Sequence, residues 1–345
     1  MSRKFINMFA VMMLAVAFIF ITASCQKLSV KRLKANYHFN KANTLFSDNR
    51  YRQAIEEYEK ALTNNPDLVE AYRFLGESYK SLYKPGVDTE ENKRKAQEAL
   101  ESLQKAYEIS PTDKDVIYSL GDMYDKMRDF KKAEELYLKI IDMEPTNMSN
   151  YYVVAEFYKR YAGESKEGEE GEEGKKIAQG GKTPFQKAEE MYLRRIETDP
   201  ENPQGYAYIS QFYEGITPVP EFDKANYFHD RRIQLEPENA KAWLSKGVNR
   251  WSKAYRLQSR LSSQERLALG HQSEKALLKA NELDPAYPEP YSWLSVLYKS
   301  VLARLEPQKA ERYNREADMY VEKFKEARKK EAERKKLEEE LKKIG

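Results

Sequence analysis

TDKDVIYSLGDMYDKMRDFKKAEELYLKIIDMEP, residues 112–145, decides the fold of this chain. In it Leu120-Gly121 and Tyr124 are followed by Ala133, Tyr137, Ile140 and Pro145. Offsets of three and four place one apolar stripe on each of two helices. The small residues sit where the two helices must approach closely, and Tyr or Leu fills the larger gap opposite. Pro145 ends the second helix, because proline cannot continue the hydrogen-bond ladder.

The same layout recurs. Tyr72, Leu75-Gly76 and Tyr79 precede Ala99, Leu103, Ala106 and Pro111. An earlier copy has Ala42, Leu45, Ala54, Tyr58, Ala61 and Pro66, and a later one has Trp243, Gly247, Leu277, Ala280 and Pro285. Copies close at Asn65-Pro66, Ser110-Pro111, Glu144-Pro145, Asp199-Pro200, Glu236-Pro237 and Asp284-Pro285. The prolines are spaced by 45, 34, 55, 37 and 48 residues, so a unit of about 34 recurs with inserts of different length. A unit of two helices cannot bury its own apolar face, so the copies must stack into an extended binding surface.

This pattern resembles the tetratricopeptide repeat family over residues 35 to about 325. The resemblance implies an all-α, right-handed superhelical solenoid of about seven helix–turn–helix repeats spanning 35–306. The repeats lie near 35–68, 69–113, 114–147, 148–202, 203–239, 240–287 and from 288–306 onward, with a charged helix over 307–345. The fifth departs at its second helix, where His229 and Arg232 replace an aromatic and an alanine; the sixth is disrupted after Trp251. Inserts are expected between helix A and helix B of repeats two, four and six. The largest, 163–182, is rich in Gly and Glu with almost nothing to bury, and is expected to be disordered. In the last helix, Tyr313, Ala317, Tyr320 and Phe324 can cover the final repeat. Beyond Phe324 the helix is either a solvated extension or a short coiled-coil or docking segment.

The N-terminus carries a second signal. Arg3 and Lys4 precede Phe5 to Ile21, in which Asn7 is the sole polar residue, and Thr22-Ala23-Ser24 leads into Cys25, the single cysteine. This is a secretory signal layout over 1–24. Ile21-Thr22-Ala23-Ser24-Cys25 looks like a lipobox, with Thr22 where a larger aliphatic residue is usual. The resemblance implies cleavage and lipidation at Cys25; an uncleaved anchor and ordinary cleavage near Ser24 are the alternatives. Two or more acyl chains suffice for stable attachment, at ~0.8 kcal/mol per buried methylene. By resemblance to Gram-negative lipoprotein sorting, Gln26 favours the outer membrane and its periplasmic face, with the inner membrane as the alternative. Residues 25–34 form the tether.

Removing 1–24 leaves 57 basic and 56 acidic side chains, a balance that gives no reason to expect nucleic acid. The three histidines, His38, His229 and His271, are scattered over the repeats, and no phosphate loop, metal set or catalytic constellation stands out. Neither a cofactor, a metal nor a small-molecule substrate is expected, and an enzyme is not the reading. The family lines its concave face with fixed helix A positions. Carried over, these include Phe39 and Asn43 in repeat one, Arg73 and Glu77 in two, Tyr118 and Asp122 in three, Tyr152 and Glu156 in four, and Gln211 in five. Glu77, Asp122 and Glu156 form an acidic row, which favours an extended basic or polar peptide.

The sequence thus reads as a membrane-anchored interaction scaffold or adaptor of the bacterial cell envelope, binding proteins or extended peptides. A pilotin or outer-membrane assembly lipoprotein dedicated to one client is the alternative. Cys25→Ser should abolish acylation, because no other thiol exists. Mass spectrometry of the mature N-terminus checks this; an unmodified terminus away from residue 25 would refute the anchor.

Overall fold

The computed structural model describes residues 30–162, 181–215 and 220–344. The expected signal segment, Cys25 and all but two residues of the 163–182 insert lie outside them. Among the described residues the regular structure is entirely helical, and it divides into two compact bodies at Pro145.

The first body holds three repeats: α1 (30–47) with α2 (Tyr51–Asn64), α3 (Val69–Leu82) with α4 (Glu90–Ile109), and α5 (Lys114–Lys126) with α6 (Phe130–Met143). Each helix from α2 onward packs on its neighbour in sequence. Ala42, Ala54, Tyr58 and Ala71 are fully buried where α1, α2 and α3 meet, with Phe39, Phe46 and Phe74 around them. The tight turns of repeats one and three each place one residue, Asn49 and Arg128, in the left-handed region at φ of 59° and 63°. Both stand two positions ahead of helix B.

The second body runs α7 (Met148–Ala162), α8 (Pro184–Thr198), α9 (Pro203–Gly215), α10 (Phe222–Leu235), α11 (Ala240–Arg256), α12 (Ser263–Leu283), α13 (Glu289–Leu297) and α14 (Ala310–Ile344). A π-helical turn, Tyr298–Leu302, carries α13 on to Leu305.

The proline punctuation has a uniform geometry. Asn65, Ser110, Glu144, Asp199, Glu236 and Asp284 each leave the helix with φ between −146° and −133°. Each amide still bonds back four residues, to Ala61, Ala106, Ile140, Arg195, Arg232 and Ala280 in turn. The proline ring clashes with a helical conformation at the residue before it, which fixes the stop.

Two of the three expected inserts are mostly helix rather than loop. α4 has 20 residues, α11 has 17 and α12 has 21, against 14 for α2. Repeat six is therefore not disrupted after Trp251: α11 continues to Arg256, and the Trp251 indole donates to Ser300 Oγ at 2.9 Å. Ser262 and Glu265 close a reciprocal capping box that starts α12, which puts His271 inside the helix and not in a preceding loop. The last helix caps the stack as expected: Tyr313 and Ala317 are buried against Leu294, Tyr298 and Leu302, with Tyr320 beside them. Leu337 and Leu341, farther along its 35 residues, are 57% and 60% exposed. No helix among the described residues is long and apolar enough to cross a membrane.

Close helix approach is bought by glycine. A Cβ on Gly247 would stand 2.7 Å from Leu277 Cγ and 3.3 Å from the Leu277 backbone nitrogen. In an open helix Gly→Ala gains up to ~1 kcal/mol. Here Gly247→Ala should instead cost about 1–3 kcal/mol by overpacking. Combined with Leu277→Ala it should cost less than the two changes summed, as urea denaturation of the two singles and the double would measure.

Candidate functional site

The helix A positions singled out by the repeat pattern are half-buried, with Gln211 exposed. In the first body they form a connected set. Phe39 packs against Phe74 at 6.3 Å between centroids, and the Arg73 guanidinium lies 4.2 Å above the same Phe74 ring. Asn43 accepts a bond from Tyr58 OH at 2.8 Å, so this position completes a buried phenol of helix B. Tyr118 packs on Tyr137 at 6.3 Å.

The acidic row is not left to repel itself. Lys80 stands between Glu77 and Asp122, with Nζ 2.8 Å from one carboxylate and 2.7 Å from the other. Burial opposes the charge on Lys80, but the two carboxylates outweigh it and its pKa is raised. Arg73 reaches Asp115 at 3.8 Å. Nearby, Lys60, then His38, then Lys41 hold the buried Glu57 carboxyl down at about 2. Glu77 and Asp122 therefore share a cation supplied by their own chain. The sequence places Lys80 three residues from Glu77, but not its reach to the next repeat.

In the second body Glu156 accepts from Tyr192 OH at 2.5 Å and pairs with Lys159 at 2.7 Å. His229 is 2% exposed and bonds Glu214 at 2.8 Å; Asn249 donates to the same oxygen at 2.7 Å. Tyr152 packs on Tyr208 with centroids 4.4 Å apart and ring planes tilted by 35°. Above these rings lies Arg195, its guanidinium carbon 5.7 Å from the Tyr152 centroid and 4.5 Å from that of Tyr208. Arg195 is 4% exposed, and its buried Nε has no hydrogen-bond partner. Burial lowers its pKa, with the tyrosines opposing.

Arg195 occupies the position four before the helix B stop, where Ala61, Ala106, Ile140 and Ala280 stand in other repeats. Arg232, the other arginine at this position, pairs with Glu236 at 2.5 Å. Buried Arg250 donates to Phe222 O at 2.6 Å and lies 3.4 Å from Asp223. Among the described residues Arg195 alone of these three lacks a carboxylate. Sequence reasoning missed it because the repeat pattern points to helix A. The available signal was a charge in line with Ala188 and Tyr192 on the apolar stripe of helix B.

Residues 42–82 match a family model described as TPR repeat, and residues 93–155 match one described as tetratricopeptide repeat. Over these residues the chain carries tetratricopeptide repeats, and they support a protein–protein interaction scaffold. Among solved structures it resembles the C-terminal part of a TPR repeat-containing protein from Cytophaga hutchinsonii, at TM-score 0.51 and 15% identity, covering 82% of this chain and 93% of that one. At that identity the likeness bears on the fold alone. The MamA protein aligns at TM-score 0.40 and 20% identity over 60% of this chain and 94% of its own. Pseudomonas aeruginosa pilF aligns at 0.42 and 12% over 75% and 96%. No curated protein matches the chain. Among the described residues no group of three or more His, Cys, Asp or Glu is placed to hold a metal ion.

Lys80→Met keeps the stem and removes the cation between Glu77 and Asp122. Stability should fall by about 1–2 kcal/mol at pH 7 in urea titrations. The deficit should shrink in ~1 M salt, where the screening length is about 3 Å.

Proposed function

We propose that this protein is a lipid-anchored interaction scaffold of the bacterial cell envelope. It is tethered through Cys25 to the periplasmic face of the outer membrane and holds extended segments of partner proteins on the helix A faces of its repeats. The single observation that carries the binding role is Arg195. A buried guanidinium without a carboxylate costs folding free energy that a methionine or alanine at that position would not. Two tyrosines offset part of that cost, at ~1–2 kcal/mol for desolvated cation–π contacts. They also flank the guanidinium with flat faces on which an extended chain can lie. A partner carboxylate, from a side chain or a chain end, would complete the guanidinium with charge-assisted bonds. Because Glu77, Asp122 and Glu156 already have partners within the chain, a segment bearing a carboxylate suits these faces better than a basic one.

Arg195→Met tests this directly. Stability should fall by no more than about 1 kcal/mol, or rise, because the lost cation–π contacts are set against relief of a buried charge. Partner recovery by in-cell crosslinking should drop several-fold. Undiminished recovery with an intact fold would overturn Arg195 as the binding residue, and a strongly destabilised variant would make it a structural arginine.

A further inference from the structure

α1 is the first helix after the proposed lipid attachment point, and its outer side is unusual for this chain. Val30, Leu33 and Tyr37 are 52%, 66% and 64% exposed. At ~100° per residue these three fall within roughly a 60° arc. The opposite side of the helix carries Ala35 and Ala42, both at 0% exposure, which face the core. The apolar stripe is thus turned away from the repeats and not toward them. Lys34 and Lys41 lie on the same outer side as the stripe. Lys41 is half exposed and reaches Glu57 at 3.2 Å, while Lys34 is exposed. Lys31 and Arg32 are exposed too but lie off the stripe, Arg32 toward the far side of the helix. Residues 26–47 hold five cations, Lys27, Lys31, Arg32, Lys34 and Lys41, and no Asp or Glu. Elsewhere the chain mixes charges nearly evenly, so this segment stands apart.

We propose that the outer face of α1 lies on an anionic lipid surface, with Val30, Leu33 and Tyr37 entering the headgroup boundary and the lysines on phosphates. This rests on the anchor reading for Cys25 and extends it from attachment to orientation. Four residues lie between Cys25 and Val30, five steps with a reach of at most ~18 Å. A lipid at residue 25 would hold the start of the stripe within that distance of the bilayer. Apolar residues beside lysines suit an interface, because Lys stems lie along apolar surface while the ammonium reaches the phosphates. A purely electrostatic tether would not need the stripe, and a protein interface would not need the absence of carboxylates.

The test uses the mature chain purified from cells and placed in vesicles. Acylated Cys25 has no free thiol, so an introduced cysteine is the single labelling site. A polarity-sensitive fluorophore goes on Leu33→Cys, Tyr37→Cys and, on the exposed flank, Asn36→Cys. In phosphatidylcholine vesicles containing phosphatidylglycerol, the labels at 33 and 37 should shift to the blue and be quenched by nitroxide-bearing lipid. The label at 36 should do neither. Lys34→Gln should lower the apparent association of the face with these vesicles about fivefold. Labels at 33 and 37 that behave like 36 would overturn the inference, while an acyl group found on residue 25 by mass would leave the anchor reading standing. Blue-shifted labels on a chain without an acyl group would support the face and overturn the anchor. A shift in detergent micelles that grows with protein concentration would assign the face to a second copy and overturn the lipid proposal.

Discussion

A glycine in the first helix of a repeat lets the second helix press a large side chain onto its backbone, and the rest of the architecture depends on that contact. Gly76 receives Leu103, Gly121 receives Tyr137 and Gly247 receives Leu277. With the backbones this close, the facing positions of helix B must be small. Ala99, Ala106, Ala133, Ala276 and Ala280 are at most 2% exposed. Within each body a pair of helices leans on the next, and the last leans on Tyr313 and Ala317 of α14.

The aromatic fillers bring hydroxyls into the interfaces, and each buried phenol needs an acceptor. Tyr79 donates to Glu59, Tyr213 to Glu189 and Tyr298 to Glu274, each joining a helix A to the helix B before it. Burial, reinforced by Glu59, pushes Tyr79 up to about 12. Tyr58 and Tyr192 run the other way, from helix B to Asn43 and Glu156. Asn43 and Glu156, two of the helix A positions, thus serve packing first. This separates them from Arg195, whose burial no acceptor explains.

The repeat pattern was legible because it is local. Offsets of three and four and a proline every unit specify helices that packing then confirms, down to the six matched stops. The length of α12 was also legible, in Ser262 and Glu265, but a capping box inside a supposed insert is easily passed over. The pairing of Lys80 with Asp122 was not legible, because it depends on the rotation of α3 relative to α5. Arg195 lay between these cases. Its repeat position was readable from the proline register, while its missing carboxylate and the two tyrosines over it required the fold.

The contacts that define the stack join sequence neighbours. Even the bond from Trp251 to Ser300 spans 49 residues, little more than one repeat. Loop-closure entropy is therefore small at each step, and low contact order goes with fast assembly. For a chain made from its N-terminus, α1 to α4 contain everything the first interface requires. The first repeats are able to fold while later ones are still being synthesised, and little sticky surface waits for a distant partner. A sheet with long-range strand pairing would deny the chain that piecewise route.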